Sequence, residues 1–248
     1  MKYSILLIIL FLTACNDTWV EPDKEVWINF NDTSSQSLDL NPTVDTSDYL
    51  RVAVAAMSTP AETFFKYHQL FNYIEQKLGK KILLVQRKTY KEVNDLVKDN
   101  EIDMAFVCSG AYVAGVRDSA FNLFLIPERE NQRWYHAYII VRKDSPYKTF
   151  YDLKGSKFVF SDSLSNTGMY YPLSRLHHYH TTAQDFFSST YMSNAHDNSI
   201  ELVSRGIVDG ASVNSLIFDY LKTMEPEKVM NLKIIEISPP FGMPPVVV

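Results

Sequence analysis

Lys157-Phe158-Val159-Phe160-Ser161, then Asp162-Ser163-Leu164, then Ser165-Asn166-Thr167-Gly168, is the stretch on which the fold turns. The first five residues, apolar at Phe158, Val159 and Phe160, read as a strand, and Thr167 to His180 reads as a helix. Between them, hydroxyl, amide and hydroxyl run together into Gly168. A missing side chain there lets a ligand approach the backbone.

The same strand-turn-helix unit recurs on both sides. Upstream, Leu50 to Ala56 reads as a buried strand, and Ser58-Thr59-Pro60 supplies a cap and first-turn proline for a helix that runs to Leu78 and stops at Gly79. Lys81–Val85 is a strand, Tyr90–Asn100 a charged helix with Val93, Leu96 and Val97 on one side, and Ile102–Cys108 a strand. A short helix over Ser109–Arg117 and a strand over Phe121–Ile126 follow, and Trp134–Arg142 reads as one long strand leading away. Downstream come a short strand over Thr190–Ser193, a helix over Asp197–Arg205, a strand over Gly210–Val213, a helix over Ser215–Met224 and a strand over Leu232–Ile237. Strands alternating with helices, twice over, predict two α/β lobes with largely parallel sheets.

In open α/β sheets ligands bind beyond the carboxyl ends of the strands. Three such turns carry hydroxyls and open helices: Ser58-Thr59-Pro60, Ser109-Gly110-Ala111 and Ser165-Asn166-Thr167-Gly168. A helix N-terminus offers unpaired N–H groups and about half a positive charge, which suits a small anion. Ser and Thr are also ordinary N-caps, so each turn taken singly says little. The third is the strongest.

Several segments, in consistent order over roughly 49–248, resemble the phosphate/phosphite/phosphonate-binding proteins of ABC transporters. They are Phe150-Tyr151-Asp152-Leu153-Lys154-Gly155, the stretch from Phe158 to Gly168, Tyr90-Lys91-Glu92-Val93, Val107-Cys108-Ser109-Gly110-Ala111-Tyr112-Val113, His196-Asp197-Asn198-Ser199-Ile200, Val208 to Ser215, and Ser238-Pro239-Pro240. The resemblance implies a type II periplasmic-binding-protein fold, two α/β lobes with mixed sheets and an interlobe ligand cleft, with no catalysis and no cofactor. It implies Ser165, Asn166 and Thr167 as the anion-cradling turn, with Tyr112, His196, Thr59 and Asn214 as further ligand contacts. Without the resemblance, Tyr112 reads as a core-edge tyrosine and His196 as a capping or exposed histidine. Where many relatives carry an acid that pairs with an aminoalkyl ammonium, this chain has Asn214, which favours an anion without a cationic arm. Relatives of this kind usually continue past Met243-Pro244-Pro245-Val246-Val247-Val248 with helices that finish the first lobe. The expectation is therefore a shortened chain with an apolar surface left for a partner to cover.

The N-terminus reads differently. Lys2, the apolar run Ile5–Leu12 and Leu12-Thr13-Ala14-Cys15 resemble a lipoprotein signal peptide with lipidation at Cys15. The run is far shorter than the ~20 residues of a membrane-spanning helix. Residues 16–47 hold seven acids (Asp17, Glu21, Asp23, Glu25, Asp32, Asp39, Asp45) against Lys24, so this expected tether carries −6; with Lys2 at +1 and a total formal charge of −5, residues 48–248 are neutral. A chain with 24 basic and 29 acidic residues lacks the positive excess of a nucleic-acid binder. Two cysteines exclude a disulfide scaffold, and Cys108 reads as a small core residue. His177 and His180 can share a helix face, but no carboxylate or thiol joins them at ligand spacing, so no metal is assigned.

The expected layout is a signal peptide at 1–15, a tether at 16–47, a first lobe of 48–142 plus 238–248, and a second lobe of 143–237. The expected protein is a periplasmic or cell-surface lipoprotein that captures a small oxyanion for an ABC permease in the inner membrane. A sensory or interaction module of the same fold, reporting ligand to a membrane receptor, is the alternative. A surface enzyme using the histidine cluster comes third.

Overall fold

The computed structural model describes residues 49–248, so the expected signal peptide, Cys15 and the acidic segment 16–47 lie outside the described residues. The first lobe is built from β1 (Tyr49–Val54), α1 (Pro60–Leu78), β2 (Lys81–Val85), α2 (Tyr90–Lys98), β3 (Met104–Phe106), α3 (Ser109–Arg117) and β4 (Leu123–Leu125). Val52, Ala53 and Val54 are buried because β1 lies between β2 and β3, parallel to both, and is covered on both faces. Pro60 opens α1, and Gly79 ends it in the left-handed region at φ 64, where its N–H reaches Glu75 O at 2.9 Å. A capping box starts α2: Glu92 N–H donates to Thr89 Oγ1 at 3.2 Å, and Thr89 N–H donates to Glu92 Oε2 at 2.8 Å.

Two short strands, β5 (Trp134–Tyr135) and β6 (Ala137–Arg142), carry the chain out of the first lobe. The second lobe adds β7 (Lys157–Phe160), α4 (Tyr171–His178), α5 (Ala183–Phe186), β8 (Ser189–Met192), α6 (His196–Ser204), β9 (Gly210–Asn214), α7 (Ser215–Met224) and β10 (Leu232–Ile237). The chain returns through β11 (Phe241–Gly242), which pairs with β5, and ends in β12 (Val246–Val247). The first sheet runs β2-β1-β3-β12-β4 and the second β10-β6-β9-β7-β8.

Both sheets are mixed, not largely parallel as the alternation alone predicts. β12 is antiparallel to β3 and β4, and β6 is antiparallel to β9 and β10. The single long strand expected over Trp134–Arg142 is two, and its second part belongs to the second sheet, before the boundary expected at 143. The break falls at His136. Its N–H donates to Ser215 Oγ at 3.0 Å and its carbonyl accepts Ser215 N–H at 2.9 Å, so the chain changes sheets there. The helix expected from Thr167 begins instead as a π-helical turn, Asn166–Tyr170, before α4 takes over.

Candidate functional site

The turn after β7 is tied back on itself. Ser161 N–H donates to Gly168 O at 3.3 Å, and Ser165 Oγ accepts Gly168 N–H at 3.0 Å. Met169 and Tyr170 both donate their N–H groups to Ser165 O, which produces the wide π turn. A Cβ on Gly168 would collide with Ser161 Oγ and lie 3.0 Å from His196 Cε1, so only glycine fits. Ser161, Asp162, Ser165 and Thr167 are all buried.

His196, the first residue of α6, closes the other side of the turn. Its Nδ1 accepts Asn214 N–H at 3.3 Å. The ring proton therefore sits on Nε2, which faces Ser165 Oγ at 3.4 Å. Complete burial drives the imidazole pKa down to about 3, so the ring is neutral. Asn214 caps α7 by accepting Leu216 N–H on Oδ1 at 2.8 Å.

The first lobe meets this assembly directly. Asp162 Oδ2 accepts the N–H of Tyr90, the first residue of α2, at 3.0 Å, while Oδ1 accepts Leu164 N–H at 2.8 Å. Burial raises the Asp162 carboxyl pKa, and these two N–H groups oppose that shift. His196 N–H donates to Met57 O at 3.1 Å, and Thr59 N–H to Asp197 Oδ2 at 2.8 Å. Gly110, at the start of α3, packs so tightly on the turn that a Cβ there would overlap Leu164 O. The lobes are closed on one another.

Six buried side-chain polar atoms among the described residues lack a hydrogen-bond partner, and four gather on the elements that meet here: Tyr90 Oη, Ser161 Oγ, Thr167 Oγ1 and Asn214 Nδ2. Tyr90 Oη lies near Ser165 without a well-aligned bond, and burial holds its pKa well above the usual phenol value. All four atoms can donate. Leaving a buried donor unpaired costs about 1–3 kcal/mol, so such a concentration marks a place that favours an acceptor-rich guest. No Lys or Arg is among these residues. What the cradle can do is hold an oxyanion by neutral donors.

Of the residues singled out from the sequence, Ser165, Thr167, His196 and Asn214 come together at this turn. Asn166 and Tyr112 are half-buried and line a neighbouring interlobe groove of about 420 Å3 with Ser109, Gly110 and Tyr170. Tyr112 packs against Phe121, ring centroids 6.5 Å apart. Thr59 lines a separate groove with Glu62 and Asp197. Sequence reasoning missed Tyr90 and Ser161. Tyr90 reads only as the opening of a charged helix whose apolar side is Val93, Leu96 and Val97, and its place at the first position after the Thr89 cap puts it near the carboxyl end of a strand. Cys108 is fully buried with its thiol pKa pushed up by burial, as befits a core residue.

Comparison with known proteins bears on this geometry. Residues 52–248 match the family model described as ABC transporter, phosphonate, periplasmic substrate-binding protein. The phosphonates-binding periplasmic protein of Escherichia coli strain K12 is 27% identical over 179 residues, covering 70% of this chain and 53% of that protein. The match thus spans about half the length of that relative. A binding protein component of an ABC phosphonate transporter from Pseudomonas aeruginosa superposes with a TM-score of 0.74 at 20% identity, covering 80% of this chain and 68% of the other. A protein from Prochlorococcus marinus, solved in complex with methylphosphonate, gives 0.72 at 17% identity, covering 81% and 76%. With two α/β lobes closed on a cradle of neutral donors, and a family match from the first buried strand to the last residue, the chain belongs to the periplasmic phosphonate substrate-binding proteins of ABC transporters.

Proposed function

We propose that the chain captures a small tetrahedral oxyanion, a phosphonate, phosphite or phosphate, between its lobes and delivers it to an ABC permease in the inner membrane. The observation that carries this reading is the set of four buried, unpartnered donors around Ser165 and His196. Ser165 Oγ accepts Gly168 N–H and faces His196 Nε2–H, which leaves its own proton to donate. His196 Nδ1 is occupied by Asn214 N–H, so the ring meets a guest only as a donor. Each hydrogen bond to a charged oxygen is worth about 1.5–3 kcal/mol, which neutral donors supply without a fixed cation. Closure keeps water out and strengthens each of them. Tyr90 is the first lobe's donor to the guest, and its neighbouring N–H on Asp162 ties closure to the same helix end.

The lipid anchor on Cys15 belongs to the same reading, with residues 16–47 as the tether that lets the body reach a permease. Thermal-shift titration with phosphate, phosphite, methylphosphonate, 2-aminoethylphosphonate, sulfate and nitrate tests the ligand. A guest at 100 times its Kd stabilises the native state by about 2.7 kcal/mol. A rise with a phosphorus oxyanion and none with nitrate is expected, and no rise with any of them overturns the reading. Labelling with radioactive palmitate, lost in Cys15→Ser, tests the anchor.

A further inference from the structure

A second cavity, also of about 420 Å3, lies between the lobes on the side of Asn214. It shares Asn214 with the cradle. Asn214 lines it and holds His196 Nδ1 through its backbone N–H, while Met57 lines it and accepts His196 N–H on its carbonyl. Its walls are mostly hydrocarbon and aromatic: Tyr67 and Phe106 from the first lobe, and Leu216, Ile217 and Tyr220 from the second. No aspartate or glutamate lines it, and the charged residues that do are Lys66 and Arg129. The Lys66 ammonium is held in place, with Nζ 3.2 Å from Ser58 Oγ, 3.4 Å from Glu62 Oε2 and 4.4 Å from the centroid of the Tyr220 ring. Glu62 itself faces the separate groove beside Asp197.

We infer that this cavity receives the carbon-bound arm of the phosphonate and selects an uncharged hydrocarbon arm longer than methyl over one that ends in an ammonium. The inference rests on the phosphonate reading above and adds the chemistry of the arm. Apolar walls reward each buried methylene by about 0.8 kcal/mol, close to fourfold in affinity. An ammonium arm gives up its water in the same space, finds no carboxylate to replace it and meets the fixed charge of Lys66. Asn214 keeps its side-chain acceptor, Oδ1, on Leu216 N–H at 2.8 Å.

Calorimetric titration of the full chain with methyl-, propyl-, phenyl- and 2-aminoethylphosphonate separates the possibilities. Propylphosphonate should bind about tenfold tighter than methylphosphonate, phenylphosphonate at least as tightly as methylphosphonate, and 2-aminoethylphosphonate the weakest of the four. Leu216→Ala should shrink the propyl-to-methyl ratio, and Leu216→Asp should shift the preference towards 2-aminoethylphosphonate. Methylphosphonate binding with no gain from propyl, or tightest binding of the amino compound, overturns the assignment of the arm while leaving the oxyanion reading intact. No binding of any of the four by a cooperatively melting chain overturns both.

Discussion

The turn from Ser161 to Gly168 in the second lobe and the turns at Ser58-Thr59-Pro60 and Ser109-Gly110-Ala111 in the first share the same ingredients: hydroxyls at the end of a strand and the start of a helix. Their hydrogen bonding separates them. Ser58 Oγ accepts from Lys66, Thr59 N–H is taken by Asp197, and Ser109 Oγ pairs with Tyr135 Oη at 2.7 Å. Ser161 Oγ and Thr167 Oγ1 are buried and have no partner. A hydroxyl that already has its partner stabilises the fold. One that lacks it carries a cost that a guest can relieve. Chemical type alone does not tell a cap from a cradle.

Substitutions can break that contrast, and the largest effect is expected at Gly168. Gly168→Ala pushes a methyl into Ser161 and His196, a strain of about 1–3 kcal/mol that falls on the cradle itself. Methylphosphonate affinity measured by calorimetry should drop by on the order of 100-fold. An unchanged Kd would show that the turn is not where the oxyanion sits.

Next comes His196. Its folded pKa of about 3 lies below the ordinary value of 6.5, so between those limits the unfolded chain holds the extra proton. The stability this residue contributes is complete above pH 6.5 and is lost as the pH falls towards 3. From pH 7 to pH 4 the loss is about 3 kcal/mol. Urea unfolding should show that part of the slope vanish in His196→Gln, and equal slopes in the two proteins would contradict the neutral, buried ring.

A pair of smaller changes sharpens the comparison between lobes. Tyr90→Phe removes an unpartnered hydroxyl, so affinity should fall about tenfold or more while the melting temperature of the free protein holds or rises. Ser109→Ala removes a partnered one. It should cost about 1 kcal/mol of stability and leave the Kd alone. The reverse pattern would exchange the roles assigned to the two turns. Thr59→Ala is expected to be the mildest, within about 0.5 kcal/mol in chemical denaturation, because the Thr59 side chain makes no capping bond to α1.

Much of the fold is legible in the sequence alone. The helix from Pro60 to Leu78, the strand Leu232–Ile237 and the helix Ser109–Arg117 follow from periodicity, proline and glycine placed where the chain needs them. The strand pairing β12 was not legible, because Val246 and Val247 are too short a run to signal a strand and gain their place only from β3 and β4 on either side. The change of sheet at His136 was hidden for a similar reason: Trp134–Arg142 is continuously strand-like, and a hydrogen bond to Ser215, 79 positions away, divides it. In the site, Ser165, Thr167 and His196 were legible as motif residues. Tyr90 stands in a motif segment as well, but its place in the site was not legible, since its partner surface lies in the other lobe.

The sequence by itself determined which residues could serve, through local rules of capping, periodicity and glycine freedom that act over a few positions. It also determined that the net acidity lies before residue 48 and leaves the body neutral. The tertiary structure decided which hydroxyls are satisfied and which are not. It buries Tyr90, Ser161, Thr167 and Asn214 together while giving Ser58 and Ser109 partners. The reason is that hydrogen-bond satisfaction depends on atoms brought together from distant parts of the chain, and sequence neighbours do not report it.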